Sequence, residues 1–584
     1  MKDSGERQIR VERALQKACE ALLAERNAEG FWEGCLSSSA LSTAVAVSAF
    51  SVAGENGDAA RLVKGAQWLL SHQNGDGSWG DTEESPGNPS TTLLVLAALR
   101  LAREKGAGMD ESFEKTLKMG AAWVERMLGR GWGVEEVQAL YGEDRTFAAP
   151  ILMNCALAGG MEWGKIPGLP FELAALPAGF YRAVNLNVVS YALPALIAVG
   201  LVLHRRGSRA GLFCDWLRRR VTPWVLRKLW KMQPESGGYL EAVPLTGFVV
   251  MSLAGAGERG HPAAARGLEF LRRLQREDGS WPIDANLSVW LTTNAVRALK
   301  PVEDANFFKD GRTAEWLSRC QAAKAPAFVG DAPGGWAWTH LPGGIPDADD
   351  TAMALLALAE LGTAKGVEMG VDWLLNLQNR DGGWPTFCRG WGRLPFDRSA
   401  PDITAHVIQA LWKRRNGRQG AEIMRALKRA EAYLRGCQRA NGSWVPLWFG
   451  NQREVALENP VMGTAAVLPA LAVMGKGGEA CSRRGVEYLL KCRHPDGGWG
   501  GGVGLTPTVE ETAQALIALG GVTEDEMARQ AVGKGMDFLT AKVESGEWRQ
   551  SHPLGLYFAK LWYSEKLYPL IWTVHALGQC RGMI

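Results

Sequence analysis

Residues 378–384 read QNRDGGW, and the same pattern returns as QNGDGSW at 73–79, QREDGSW at 275–281, QRANGSW at 438–444 and, in degenerate form, RHPDGGW at 493–499. Weaker copies stand at 30–32 and 546–548. Each full copy follows an amphipathic stretch such as GVDWLLNLQ (370–378) and precedes a more apolar one such as DITAHVIQALW (402–412). The unit is helix, glycine turn, Trp, helix. Repetition at this specificity marks stacked supersecondary units, since several copies cannot all be one active site.

The Asp-Gly or Asn-Gly pair ends the first helix sharply. The bracketing Gln amide is placed to bond backbone groups across the loop, and the Trp indole to cover them, its N–H finding a partner when buried. Alternation of a polar-faced helix with a small-residue, apolar one predicts two concentric layers. The fold expected is all-α, two (α/α) barrels. Residues 1–35 with 286–584 form one barrel, and 36–285 a second, inserted one.

Composition agrees with a globular chain of two-domain length: 584 residues, 46% hydrophobic, 22% charged, with 24 Trp and 70 Gly. Sixty-five Lys and Arg against 62 Asp and Glu leave a net charge of +3, which excludes a whole-chain field for nucleic acid. Ten Cys show no paired spacing, and the first 27 residues read as a charged helix without an apolar core, so the expectation is a cytosolic, thiol-reduced protein.

One stretch departs from the repeat rhythm: GGWAWTHLPGGIPDADDTA, 334–352, with Asp347, Asp349 and Asp350. Acidic residues at a helix start are common, and Asp350 as a simple N-cap is one reading. The other reading is an acid site, because Asp402 and His406 stand four apart on one face of the next apolar helix. An ordinary carboxylic acid of pKa ~4 protonates a carbon–carbon double bond with difficulty. Neighbouring carboxylates weaken it further as an acid, while an imidazole that stabilises the conjugate base reverses this. A carbocation formed there needs aromatic faces and no water, and the Trp surplus suits such a chamber. The chain lacks zinc-site spacing, a P-loop and a dinucleotide fingerprint. The expectation is catalysis with no metal and no cofactor.

The repeats resemble the QW motifs of the squalene–hopene and oxidosqualene cyclase family; PDADDTA (346–352) is similar to its DxDDTA acid motif and PDITAHV (401–407) to its DVTAHV segment. The resemblance implies Asp349 as the proton donor, Asp347 and Asp350 as flanking carboxylates, and His406 and Asp402 as its supports. It places Trp338 beside an early cation and Trp290, Phe387, Trp448 and Tyr557 among the cavity aromatics. The implied substrate is squalene, cyclised to a polycyclic triterpene of the hopanoid kind. Polar departures at Thr43, Asn154 and the loop after Trp448 keep a diterpenoid, a prenylated aromatic or a functionalised triterpene open as alternatives. A non-catalytic binding toroid is the remote one.

Residues 187–203 are apolar but interrupted by Pro194 and short of the ~20 needed to cross a bilayer. Residues 212–231 mix Trp216, Trp224 and Trp230 with Arg218, Arg219, Arg220, Arg227, Lys228 and Lys231, an interfacial composition. A buried core helix followed by a basic exposed one reads equally well. A water-insoluble substrate favours peripheral, monotopic attachment at the cytoplasmic membrane face; the family likeness also admits a homodimer.

Overall fold

The computed structural model describes residues 2–106, 111–141, 148–207, 211–302, 305–325, 332–521, 525–557 and 561–583, with the backbone alone at 2–4, 111–112, 178, 305 and 556–557. Among these residues, six helices close a ring: Ser288–Leu299, Ala348–Glu360, Pro401–Trp412, Pro460–Val473, Val509–Leu519 and Tyr568–Cys580, each packing on the next and the last on the first. A second ring closes through Ala40–Ala53, Pro89–Glu104, Ala148–Leu157, Val188–Arg206 and Val243–Gly255. These inner helices are buried almost all round, as helices without a polar face must be. Amphipathic helices such as Val367–Leu377, Gly420–Cys437 and Ala480–Cys492 pack outside them. The expected all-helical double barrel is the observed fold. Its only described strands are the short antiparallel pair Gly555–Tyr557 and Leu561–Tyr563. Buried apolar side chains fall into two large cores, one drawn from residues 11–36 and 283–580 and the other from 40–281.

Each repeat loop is a clasp with the same Trp bonds, and the four full copies that carry a Gln add its amide bonds. The Trp384 indole N–H donates to the Leu374 carbonyl ten residues back, 2.7 Å away, on the outer helix. Its backbone N–H donates to Thr404 Oγ1 on the following inner helix at 3.0 Å. The Gln378 amide donates to the Gly382 and Ala426 carbonyls at 2.7 and 2.9 Å, tying the loop to the next outer helix. Trp79, Trp281, Trp444 and Trp499 repeat the 2.7 Å indole bond and each finds its own threonine, Thr92, Thr43, Thr464 and Thr512. Gly382 has φ +94°, and a Cβ there would meet the Arg429 carbonyl at 2.4 Å, so only glycine fits the turn.

Two clasps escape the sequence pattern. At 233–239 Tyr239 takes the Trp position, its hydroxyl donating to the Leu229 carbonyl and its N–H to Thr246. At 321–336 an insertion separates Gln321 from its glycine, yet Gln321 bonds the Gly334 and Gly366 carbonyls and Trp336 bonds Leu317 and Thr351. The stretch before the acidic motif thus keeps the repeat instead of breaking it. Of the weak copies, Trp32 is a full clasp onto Leu22 and Thr292, whereas the Trp548 indole N–H is buried without a partner.

The Val188–Arg206 helix is long and apolar enough to span a membrane by length and composition, but it lies in the inner ring with 67% of its apolar window buried. The following helix, Leu212–Met232, turns Leu212 (89% exposed), Phe213, Trp216 and Trp224 outward together with Arg219, Arg220 and Arg227. Trp230 does not join them; it is half-buried beneath the Arg266 guanidinium, 5.1 Å from its ring. Arg218 pairs inward with Glu172 at 2.9 Å, and Lys228 bonds the Ala174 and Leu176 carbonyls.

Replacing Thr404 with Val keeps the side-chain shape but strands the Trp384 N–H in the core. Urea unfolding should show a loss of about 1–3 kcal/mol; a change within experimental error would mean that the hydroxyl does not hold the clasp.

Candidate active site

The clasp of Trp336 delivers the chain to the start of the Ala348–Glu360 helix. Asp347 N–H donates to the Trp336 carbonyl at 3.0 Å. The Asp347 side chain then caps the helix by accepting the Asp350 N–H at 2.9 Å, so the N-cap is Asp347 rather than Asp350. Asp349, in the first turn, points to the neighbouring inner helix Pro401–Trp412, where His406 Nδ1 stands 2.5 Å from its Oδ1. Both are shielded, with side-chain exposures of 17% for His406 and 11% for Asp349.

Asp402 lies one turn before His406 on a common face, as the spacing predicts, but its hydrogen-bond partner is different. Both its oxygens accept the Leu447 N–H at 3.3 Å. Burial pushes its carboxyl up to about 7, with the Asp349 charge adding to the rise and His406 opposing it. Burial likewise raises Asp347 to about 7 against its hydrogen bonds from Asp350, and raises Asp350 well above the carboxylate range, with repulsion from Asp347 next. Near neutrality the Asp347–Asp350 pair therefore holds on to a proton between them, as two close carboxyls in a dry site do.

The aromatic candidates divide. Trp338, Phe387 and Trp448 gather around one residue that the sequence pattern does not single out, Phe396: Phe387 packs on it with centroids 5.3 Å apart and Trp448 at 6.4 Å, while Trp338 meets Phe387 edge-on at 6.2 Å. Tyr191, from the other barrel's inner ring, stacks on Phe396 at 5.5 Å, so the cluster is built from both barrels. Thr386 joins it to the acid: its carbonyl accepts the Ala348 N–H at 2.8 Å and its hydroxyl the Trp448 indole N–H at 2.8 Å. Trp290 sits elsewhere, 6.4 Å from the His406 ring and stacked on Phe449 at 6.1 Å. The Tyr557 side chain lies outside the described residues.

Thr43, a polar departure in the sequence, is the Trp281 clasp acceptor and carries no information about substrate. Asn154 differs: it is fully buried in the second barrel with neither amide atom bonded. Among the described residues, no group of three or more His, Cys, Asp or Glu side chains is arranged to hold a metal ion. A shielded carboxyl, a histidine against one of its oxygens and a nearby aromatic cluster together suit proton transfer to a poorly basic, apolar group.

Residues 286–582 match the squalene-hopene cyclase C-terminal domain and residues 15–210 the squalene-hopene cyclase N-terminal domain. The squalene–hopene cyclase of Alicyclobacillus acidocaldarius is 26% identical over 98% of this chain and 98% of its own. A terpene cyclase–glycosyl transferase fusion protein of Humicola fuscoatra is 26% identical over 84% of this chain, which spans 42% of that longer protein. The ent-copalyl diphosphate synthase of Streptomyces platensis superposes over 99% of both chains with a TM-score of 0.62 at 19% identity, a likeness of fold.

A raised carboxyl pKa stabilises the fold fully below the ordinary value near 4 and loses that stabilisation as pH rises through about 7. Asp402→Asn should therefore gain stability relative to the parent at pH 8, on the order of 1–3 kcal/mol, and much less at pH 5. Thermal unfolding at the two pH values reads this, and an equal effect at both would refute the assignment.

Proposed function

Since the chain belongs to the squalene–hopene cyclase family and is a class II terpene cyclase, we propose that it protonates the terminal alkene of squalene through Asp349 and closes the polyene into a polycyclic triterpene. The observation that carries this is the 2.5 Å contact of Asp349 with His406 inside a shielded pocket. With His406 Nδ1–H donating to Oδ1, the other carboxylate oxygen carries the acid proton. When that proton passes to carbon, the imidazole already holds the carboxylate left behind. A proton held by the Asp347–Asp350 pair limits the negative charge beside Asp349. The tertiary cation then lies toward Trp338, Phe387 and Trp448, whose ring faces each attract it by up to ~2 kcal/mol when desolvated and offer no lone pair to trap it.

A second reading, an isoprenoid bearing oxygen, is favoured by one feature of the cluster: the Trp338 indole N–H is buried without an acceptor among the described residues. Hydroxylated or carboxylated polyprenyl chains supply one, and hydrocarbon squalene does not.

The cell surface for such a substrate is the membrane, and we assign peripheral attachment at its cytoplasmic face to the outward face of Leu212–Met232. Leu212, Phe213, Trp216 and Trp224 enter the acyl boundary while Arg219, Arg220 and Arg227 meet anionic headgroups.

Incubation with squalene and with shorter polyprenols, followed by mass spectrometry, tests the reaction: Asp349→Asn should lose about 10²-fold or more of the cyclic product, and undiminished cyclisation would sink the assignment. A pure oxygenated product from cell extracts, with squalene inert, would replace the first substrate by the second. For the membrane, Trp216→Glu with Trp224→Glu should abolish co-sedimentation with phosphatidylglycerol vesicles, and unchanged pelleting would exclude this face.

A further inference from the structure

Behind His406 the catalytic ring is not filled. A cavity of about 160 Å³ runs along the barrel axis, and Trp290 and His406 lie at the acid end of its lining. Five inner helices line it, with Asn294 and Arg297 on Ser288–Leu299, Asp402 and Gln409 on Pro401–Trp412, Ala466 on Pro460–Val473, Gln514 on Val509–Leu519, and His575 and Gln579 on Tyr568–Cys580. On helices otherwise buried, Asn294, Arg297, Gln514, His575 and Gln579 are partly accessible positions, and all five line this shaft.

Its polar lining sets it apart from the aromatic cluster, although Trp290, Phe449 and Trp572 also face it and Asp402 is its one carboxyl. Arg297 is the lone Arg or Lys of the lining, and among the described residues no carboxylate lies within 4.0 Å of its guanidinium. Its two bonds go to uncharged atoms, Gln409 Oε1 at 3.1 Å and Met353 Sδ at 3.3 Å, leaving most of its five N–H donors for the shaft. Burial and the Arg297 charge push the His575 imidazole down to about 3, so it adds a neutral donor and no second cation. Glu360 and Asp349 act on it only from a distance, and burial outweighs both in pulling its pKa down; a guanidinium taken from water without a contacting carboxylate costs several kcal/mol, and a chain that only needed to fill this space would place an aliphatic residue there.

We propose that this shaft is an oxyanion-binding site centred on Arg297, which takes a tetrahedral anion of the phosphate type in its planar N–H fork. The guanidinium matches paired oxygens in the plane, His575 and Gln514 flank it, and the volume holds such an anion with several waters. The site is separate from the aromatic chamber and does not depend on which isoprenoid is cyclised.

Isothermal titration of the full chain with inorganic phosphate, at constant ionic strength set with chloride, tests it without any turnover. The parent should bind phosphate saturably, and Arg297→Gln at least about tenfold more weakly, the equivalent of about 1.4 kcal/mol. Equal affinity in the two proteins, or none in the parent, overturns the site. Should Arg297→Gln fail to fold, crystals of the parent soaked in selenate decide the matter: an anomalous peak against the Arg297 guanidinium supports the site, and a shaft holding water alone overturns it.

Discussion

The fold rests on one clasp repeated around both barrels: a Trp whose indole N–H reaches the carbonyl ten residues back and whose backbone N–H reaches a threonine one helix onward. Each clasp binds the end of an outer helix to the beginning of an inner one. It therefore collects inner-helix N-termini at one rim, where unpaired backbone N–H groups and the helix dipole favour acidic side chains. Thr351 and Thr404 accept the Trp336 and Trp384 N–H groups, and the acid site lies within two residues of them: Asp349 and Asp350 beside the first, Asp402 and His406 beside the second. Structural repeat and chemical site are thus one local geometry, and the separation between Asp349 and His406 is set by the packing of two adjacent clasped helices.

That coupling explains what the sequence makes legible. The clasp needs Gln, Gly, Trp and Thr at fixed offsets, so the motif is local and the all-helical barrels follow from it. Where one offset changes, the pattern is lost although the bonds survive, as with Tyr239 in place of Trp and with the insertion between Gln321 and Gly334. Asp349 and His406 are readable because both sit on clasped helices. The partner of Asp402 is not, since the Leu447 N–H comes from a loop whose path no helical period describes. Phe396 and Tyr191 escape for the same reason: one lies in an irregular loop, and the other comes from the opposite barrel, nearly two hundred residues from Phe387, the ring it meets at 5.3 Å.

Raised carboxyl groups do not by themselves mark the site. Glu511 and Glu565 are also pushed up to about 7 by burial. Their surroundings differ. Glu511 is bonded by Asn451, Asn459 and Thr508, and Glu565 accepts the Cys35 and Leu567 N–H groups on one oxygen, so both tie loops in place and neither is bonded to an imidazole among the described residues. Asp349 instead has an imidazole on one oxygen and, among the described residues, receives no backbone N–H. A carboxyl with an imidazole against one oxygen has the charge of its conjugate base stabilised when a proton leaves, and the two glutamates lack that partner.

The acid also divides two unlike interiors. Toward Thr386 and Phe387 indole and phenyl rings pack together; behind His406 the cavity sets amides, a second imidazole, Arg297 and Asp402 among the rings of Trp290, Phe449 and Trp572. A reaction that moves positive charge through hydrocarbon requires the first to be dry, because a single water there ends the cation. A carboxyl that gives up a proton requires polar contact from another direction, because an isolated buried carboxylate is too costly to form. The imidazole of His406 stands at the boundary, bonded to Asp349 and facing the polar shaft. It lets the same carboxyl serve an apolar chamber without being sealed inside one.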